Sequence, residues 1–435
     1  MTPLLLHLFF VIIADMIKFL HTADLHLGKV FHEHSLLEDQ EYMLDALYAV
    51  LRDESYRALL IAGDVFDRSI PPPDAVQLFS AFLGKLKTSR PDLKVLVIPG
   101  NHDSPARLAY GKELFAELGL YFVTNPNDAV NPIPVYARRG GPEENPARYA
   151  AFFLLPFLSA GSLNAAESAD ENASPIRSQA KLAEEAAARL EQARLSALQQ
   201  GAAYTVLAAH IFATGGKESE SERVFLGTAE HVSAGLFAGF NYAAFGHLHR
   251  FQKTGPNSYY SGSPLAYSFD EADGEKVFLS VELDGLPESD ENGEPVAERK
   301  NSVSVIPIPI QPKRKLRRLK GTFEYFLSQS GSEPSLAGAA QDYLEITLTG
   351  KDLAQNALPI LRGSRFPNLL SVKQDEAFAA LREEHTRPGQ ETPCAKRGTE
   401  EDFSDFLTDI YGGADEEKTA LFMELLAESE KEAVV

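Results

Sequence analysis

An α/β fold is predicted by three features of the chain. Apolar runs of strand length end repeatedly in turns that carry acidic, amide or histidine side chains. Amphipathic helical stretches alternate with the early runs, and the polar residues at the run ends are all of metal-ligating type. Five motifs show the pattern in order. Thr22-Ala23 leads into Asp24-Leu25-His26, Ala58–Ala62 into Gly63-Asp64-Val65-Phe66-Asp67, and Val95–Pro99 into Gly100-Asn101-His102-Asp103. Val206–Ala209 leads into a lone His210, and Tyr242–Phe245 into Gly246-His247-Leu248-His249. Buried strands ending this way converge on one rim of a sheet. The donors are oxygen and nitrogen only, which suits a pair of hard or borderline divalent ions. Such a pair activates water and clamps the oxygens of an in-line phosphoryl displacement.

Each motif has its own logic. Asp24 and His26 are two apart, so on extended backbone both side chains point to one face, and His247 and His249 repeat the spacing. Gly63 lets the chain turn sharply and brings the Asp64 carboxylate close to the ions, where its two oxygens suit it to bridge them. Asn101 adds a neutral carbonyl oxygen. His102 is its neighbour, so its ring is expected to point elsewhere and to serve the transition state, polarising the phosphate or protonating the leaving oxygen. Asp67 and Asp103 are expected to orient histidine rings. Taken singly these signals are weak: a histidine after an apolar strand is ordinarily a core residue, and Gly-Asp or Gly-Asn is ordinarily a turn. Five of the eleven histidines fall in this ordered series, and the conjunction points to a metal centre.

The series resembles the calcineurin-like metallophosphoesterases. Within them Thr22–Gly28, Gly100–Ser104, Gly215-Gly216-x-x-Ser219-x-Ser221-Glu222-Arg223, Gly246–Arg250 and Tyr260-Ser261-Gly262-Ser263-Pro264 are similar to the bacterial SbcD-type nuclease subunits. The resemblance implies a metallophosphoesterase β-sandwich flanked by helices over residues 16–311, a smaller α+β capping domain over 312–382, a linker over 383–400 and a C-terminal helix pair over 401–435. It also implies one ion held by Asp24, His26, Asp64 and His249 and a second held by Asp64, Asn101, His210 and His247. Archaeal and eukaryotic relatives often carry His where this chain has Asp67, which leaves the job of Asp67 open.

The whole chain bounds the reading. Its 435 residues allow two or three domains, and the single Cys394 excludes an internal disulfide or a cysteine zinc cluster, which fits a reducing, cytoplasmic setting. A net charge of −21, from 41 basic and 62 acidic residues, is unexpected for a nucleic-acid enzyme. Lys313, Arg314, Lys315, Arg317, Arg318 and Lys320 crowd together and read equally as DNA contacts or as a solvated linker. Leu4–Ile13 is apolar apart from His7 but too short to span a bilayer as a helix, and it lacks a basic start and a cleavage site. Residues 1–15 are therefore expected to be a non-native or disordered extension before Met16, with an export signal as the alternative.

The remaining elements follow in order. Ala75, Leu78, Phe79, Phe82, Leu83 and Leu86 form a helical stripe for core packing. By resemblance, the helices around Asp74–Lys87 and Arg107–Leu118 also meet a second subunit. Residues 159–175 read as a loop and Ser178–Gln200 as a helix. Asn241–Tyr267 returns to β structure, and the hydroxyls of Ser261 and Ser263 are placed to hold a phosphate backbone or simply to form a tight turn. Val277–Leu283 and Ser302–Ile310 are strands, the second confined to a sheet edge by Pro307 and Pro309. Tyr343–Leu348 and Leu369–Val372 are strands of the smaller domain, with a helix over Leu353–Arg362. Phe403, Phe406, Leu407, Ile410 and Tyr411, then Leu421, Phe422, Leu425 and Leu426, give two apolar helix faces that need a partner.

The expected function is a manganese-dependent DNA nuclease subunit, exonuclease on duplex ends and endonuclease on single strands or hairpins. The resemblance implies an SbcC-type ATPase as partner and a homodimer within a heterotetramer, with no membrane association. A small-molecule or protein phosphoesterase on the same fold is the enzymatic alternative, because fold and ions are shared. A degenerate scaffold is the non-enzymatic one, and the intact ligand set argues against it.

Overall fold

A computed structural model describes residues 16–137, 149–163, 178–213, 216–223, 232–284, 302–328, 336, 338–349, 356–375 and 419–423. The expected extension 1–15, the linker, Gly215, the start of the 353–362 helix and most of the C-terminal helix pair lie outside them. The chain divides into two compact units, Met1–Lys373 and Gln374–Val435. In the second, residues 419–423 are helical and Thr419 is buried.

Seventeen strands are described. In chain order they are β1 Ile17–Thr22, β2 Val30–Phe31, β3 His34–Ser35, β4 Tyr56–Ala62, β5 Lys94–Ile98, β6 Leu120–Phe122, β7 Ile133–Tyr136, β8 Tyr149–Leu155 and β9 Tyr204–His210. Then come β10 Tyr242–Gly246, β11 Gln252–Lys253, β12 Ser258–Tyr260, β13 Val277–Asp284, β14 Ser302–Pro309, β15 Leu316–Gly321, β16 Tyr343–Leu348 and β17 Leu369–Gln374. Two six-stranded sheets have the orders β14-β13-β1-β4-β5-β6 and β11-β12-β10-β9-β8-β7. Their centres are parallel, with β4 between β1 and β5 and β9 between β8 and β10. Parallel strands covered on both faces need continuous apolar sequence, and Leu59–Ala62 and Val206–Ala209 supply it with every residue buried.

The two sheets face each other across a core that includes Phe19, Leu60, Leu96, Phe152, Val206 and Tyr242. Phe19 sits edge-on to Phe152 at 5.0 Å and to Tyr242 at 5.6 Å. Each such ring buried contributes about 1.5–3 kcal/mol. On the outer face of the first sheet lie the helices Leu37–Leu51 and Pro73–Ser89. The predicted stripe packs there, with Ala75, Phe79, Phe82 and Leu86 buried. The helix Gln179–Gln199 covers the second sheet and is capped by Ser178, whose Oγ accepts from the Lys181 amide. The result is the expected sandwich flanked by helices. β14 is an edge strand, as Pro307 and Pro309 require. The single helix expected at 107–118 is instead two short ones, Pro105–Leu108 and Lys112–Glu117, broken at Gly111 with φ +70°.

The smaller sheet has the order β15-β16-β17, with the helices Phe323–Ser328 and Ala357–Ser364 and a core around Phe326, Leu344, Ile346 and Leu361. Part of the basic run is therefore neither free linker nor open surface. Leu316–Gly321 pairs in parallel with Tyr343–Leu348.

Candidate metal centre

The five motifs meet at one rim of the sandwich because parallel strands of both sheets end there. Gly246 pairs with His210 at the ends of β10 and β9, and the amide of Asp24 donates to the Gly63 carbonyl at 3.0 Å. The backbone is unusual at this rim. Asp24, His26, Asp64 and His247 all have left-handed φ, at 54°, 44°, 49° and 109°. Non-glycine residues hold this region at a cost of about 1–3 kcal/mol each, which the surrounding structure must impose. Gly63, at φ +98°, is required twice over: a Cβ there would lie 2.1 Å from His210 Nδ1.

Asp24, His26, Asp64, His210, His247 and His249 are all buried. Asp64 Oδ2 lies 3.6 Å from His26 Nε2 and 3.5 Å from His210 Nε2, and its Oδ1 accepts the His102 amide at 2.9 Å. Asn101 Oδ1 lies 3.0 Å from both His210 Nε2 and His247 Nδ1. The Asp24 carboxylate accepts the His247 amide at 3.0 and 3.1 Å. Donor atoms of Asp24, Asp64 and His210 fall within 4.8 Å of one another, and so do those of His26, Asp64 and His102. Asp64 is common to both groups, the position a bridging carboxylate needs.

The residues fit divalent ions on tautomer grounds. His210 Nδ1–H donates to the Ala62 carbonyl at 2.9 Å, so Nε2 carries a lone pair and faces the Asn101 oxygen. His249 has hydrogen-bond acceptors at Nδ1, and Asp67 Oδ1 lies 3.4 Å from His26 Nδ1. The Nε2 atoms of His249 and His26 confront each other at 3.1 Å, and His26 Nδ1 makes no hydrogen bond that would fix its tautomer. His247 Nε2 is buried without a partner. Lone pairs aimed at lone pairs are repulsive unless a cation lies among them.

Electrostatics point the same way. Burial pushes Asp24 well above the usual carboxylate range, and the neighbouring Asp64 charge adds to it. Burial opposes ionisation of Asp64 too, but His210, His26 and His102 outweigh it and hold the group below that range. Burial lowers His26 to about 4 and His247 to about 3, leaving both neutral and ready to ligate. Cationic charge is what this cage lacks.

Three expectations change on inspection. Asp103 touches no histidine ring. It accepts the amides of Val65, Phe66 and Gly100 at 2.9–3.0 Å and so ties the Asp64 loop to the Asn101 turn. Ser261 and Ser263 are buried, with hydroxyls donating to the carbonyls of Gly262 and Leu265, so neither faces a phosphate backbone. The basic side chains are committed to carboxylates: Lys313 to Glu38, Arg314 to Glu38 and Asp39, Arg317 to Asp342 and Arg318 to Asp273. They fasten the smaller sheet and the segment leading into it.

The His102 ring is fixed by Nδ1 to the Asp67 carbonyl at 2.8 Å and lines the same pocket as His26, Asp64 and Asn101. Asp67 holds Lys29 at 2.7 Å. Sequence reading missed Lys29, Ser221 and Glu222, which line that pocket, and Glu271 behind it. Lys29 lies three residues beyond His26, and Ser221 and Glu222 belong to the 215–223 motif, whose spacing gives them no role.

Rim, cage and pocket together define a hydrolase that uses a pair of divalent ions. The calcineurin-like phosphoesterase family model matches residues 17–251, just over half of the chain, and the chain belongs to that family. It is a metal-dependent phosphoester hydrolase. Solved structures similar to it include TT1561 of Thermus thermophilus, at 12% identity and TM-score 0.33 over 60% of this chain and 93% of that one. The calcineurin-like phosphoesterase YfkN from Bacillus subtilis gives 11% identity and TM-score 0.34 over 67% and 90%. A dimetal phosphatase from Danio rerio gives 13% and 0.35 over 61% and 92%.

Proposed function

We propose that the chain is a manganese-dependent DNA nuclease subunit of the SbcD type. It acts as exonuclease on duplex ends and endonuclease on single strands or hairpins, in the cytoplasm, with an SbcC-type ATPase on its C-terminal helices. What supports the reading is the detailed wording of the motifs that meet at the cage, together with a smaller α+β sheet within the same compact unit, tied down by Arg314, Asp39 and Tyr343. The exposed Tyr110, Leu114 and Leu118, at 84%, 75% and 58%, leave an apolar patch along segment 105–118 that suits a second copy. No helix among the described residues is long and apolar enough to cross a membrane.

Asp24, His26, Asp64, Asn101, His210, His247 and His249 would hold two divalent ions, which when bound acidify water and neutralise charge on a phosphodiester. Mixed nitrogen and oxygen donors suit manganese, though iron or zinc fits the same set. His102, fixed by the Asp67 carbonyl, is placed to hold a phosphate oxygen or to protonate the leaving oxygen. The commitment of the basic run to ion pairs favours a second reading, a phosphoesterase for small molecules or phosphoproteins on the same cage.

Incubation with Mn2+ and end-labelled hairpin and linear DNA, beside Asp64→Ala and His102→Ala, separates the two. Cleavage lost in both variants supports the nuclease. Hydrolysis of bis(p-nitrophenyl) phosphate without DNA cleavage, with the ATPase subunit present, supports the second reading.

A further inference from the structure

Behind the rim, on the side of His249 turned away from the cage, other polar side chains close on its ring. His249 Nδ1 lies 2.9 Å from Ser221 Oγ and 3.3 Å from Glu271 Oε1. Ser221 Oγ lies 2.8 Å from both Glu271 Oε1 and Ser219 Oγ; with its single proton on the carboxylate, which can only accept, its oxygen accepts from Ser219 Oγ–H and from His249 Nδ1–H. Glu271 is only 1% exposed and is held by Lys276 Nζ at 2.5 Å, with Ser268 Oγ, which also contacts Asp270, 2.8 Å away. Lys276 also donates to the His249 carbonyl at 3.0 Å, and Glu222 accepts the His249 amide. Ring, amide and carbonyl of one residue are thus each held by a different side chain. A buried Lys–Glu pair is a costly way to gain stability, since desolvation consumes most of the attraction. Its place beside an imidazole calls for another reason.

We infer that Ser221 and Glu271 are positioning residues for His249, keeping its proton on Nδ1 and thereby presenting the Nε2 lone pair to the cage. In the other tautomer Nε2–H points into the cage and no ion can be ligated there. The inference rests on the two-ion reading of the rim and is independent of DNA as substrate.

The test is Mn2+ binding to the full chain after chelation, followed by calorimetric titration, for the parent, Ser221→Ala, Glu271→Gln and Ser221→Thr. The parent is expected to bind two equivalents. One of them weakens about 10–100-fold in Ser221→Ala and Glu271→Gln, while the other holds, and Ser221→Thr restores both. Histidine-ring 1H–15N correlation spectra of the metal-free parent should show His249 protonated at Nδ1 and a mixture of tautomers in Ser221→Ala. Two unweakened equivalents in both Ser221→Ala and Glu271→Gln overturn the inference, as does an Nε2-protonated His249 in the parent. A parent that binds no Mn2+ overturns the two-ion reading and this inference with it, whereas a chain inert on DNA leaves both standing.

Discussion

The rim of the sandwich and the basic stretch 313–320 both concentrate charge, and they dispose of it in opposite ways. At the rim, Asp24 and Asp64 are buried with neutral imidazoles around them. Along the basic stretch, Lys313, Arg314, Arg317 and Arg318 are partly exposed and each has a carboxylate at hand. A region that leaves its charge unbalanced, at the cost of desolvation, is built to receive something. A region that balances its charge internally is built to hold itself together.

Removal of the shared carboxylate breaks the comparison at its strongest point. Asp64→Ala should lose both Mn2+ equivalents and cut the rate on bis(p-nitrophenyl) phosphate by more than the roughly 100-fold that marks supporting groups; retention of one ion would show that Asp64 does not bridge. Acid should expose the same imbalance in the chelated protein. Burial leaves His21, His26 and His247 with folded-state values of about 3, 4 and 3, so below pH ~6.5 the unfolded chain binds protons that the fold refuses. Asp24 and Asp103, raised by burial, act in the opposite sense but are outnumbered. Stability should therefore fall as pH drops from 6.5 towards 4, checked by urea unfolding at three pH values. Gly63→Ala sets a Cβ against the His210 ring at a left-handed φ and should cost more than about 1 kcal/mol. The melting midpoint and Mn2+ uptake should fall together. On the balanced side, Arg314→Ala leaves the buried Asp39 charge with the Tyr343 hydroxyl but no cation and should cost about 1–3 kcal/mol with Mn2+ binding intact. Lys313→Ala, whose partner Glu38 is exposed, should leave the melting midpoint unchanged.

The contrast also explains what could be read beforehand. The ligand series was legible because strand-end chemistry is written locally: an apolar run and then a polar residue. The helices Pro73–Ser89 and Gln179–Gln199 were legible from periodicity and composition. The partners of the rim were not. Glu271 reaches His249 across a turn, and Asp103 shares its carboxylate among three amides on two loops, neither of which spacing can reveal. β15 was hidden because its charges mask a strand whose stability comes from parallel pairing with a partner 27 residues away. Ser261 and Ser263 misled because small hydroxyl residues in a turn look exposed until the neighbouring strands bury them.

The split of the cage between two sheets bears on how the protein is made. Asp24, Asp64 and Asn101 follow strands β1, β4 and β5 of one sheet, whereas His210 ends β9 and His247 and His249 follow β10 of the other. A chain still emerging from the ribosome therefore carries four of the seven proposed donors until residue 210 has been synthesised, and all seven only at residue 249. On the proposed ligand set each ion would take donors from both sheets, so binding it would add a tie across the sandwich to the apolar core that already joins them.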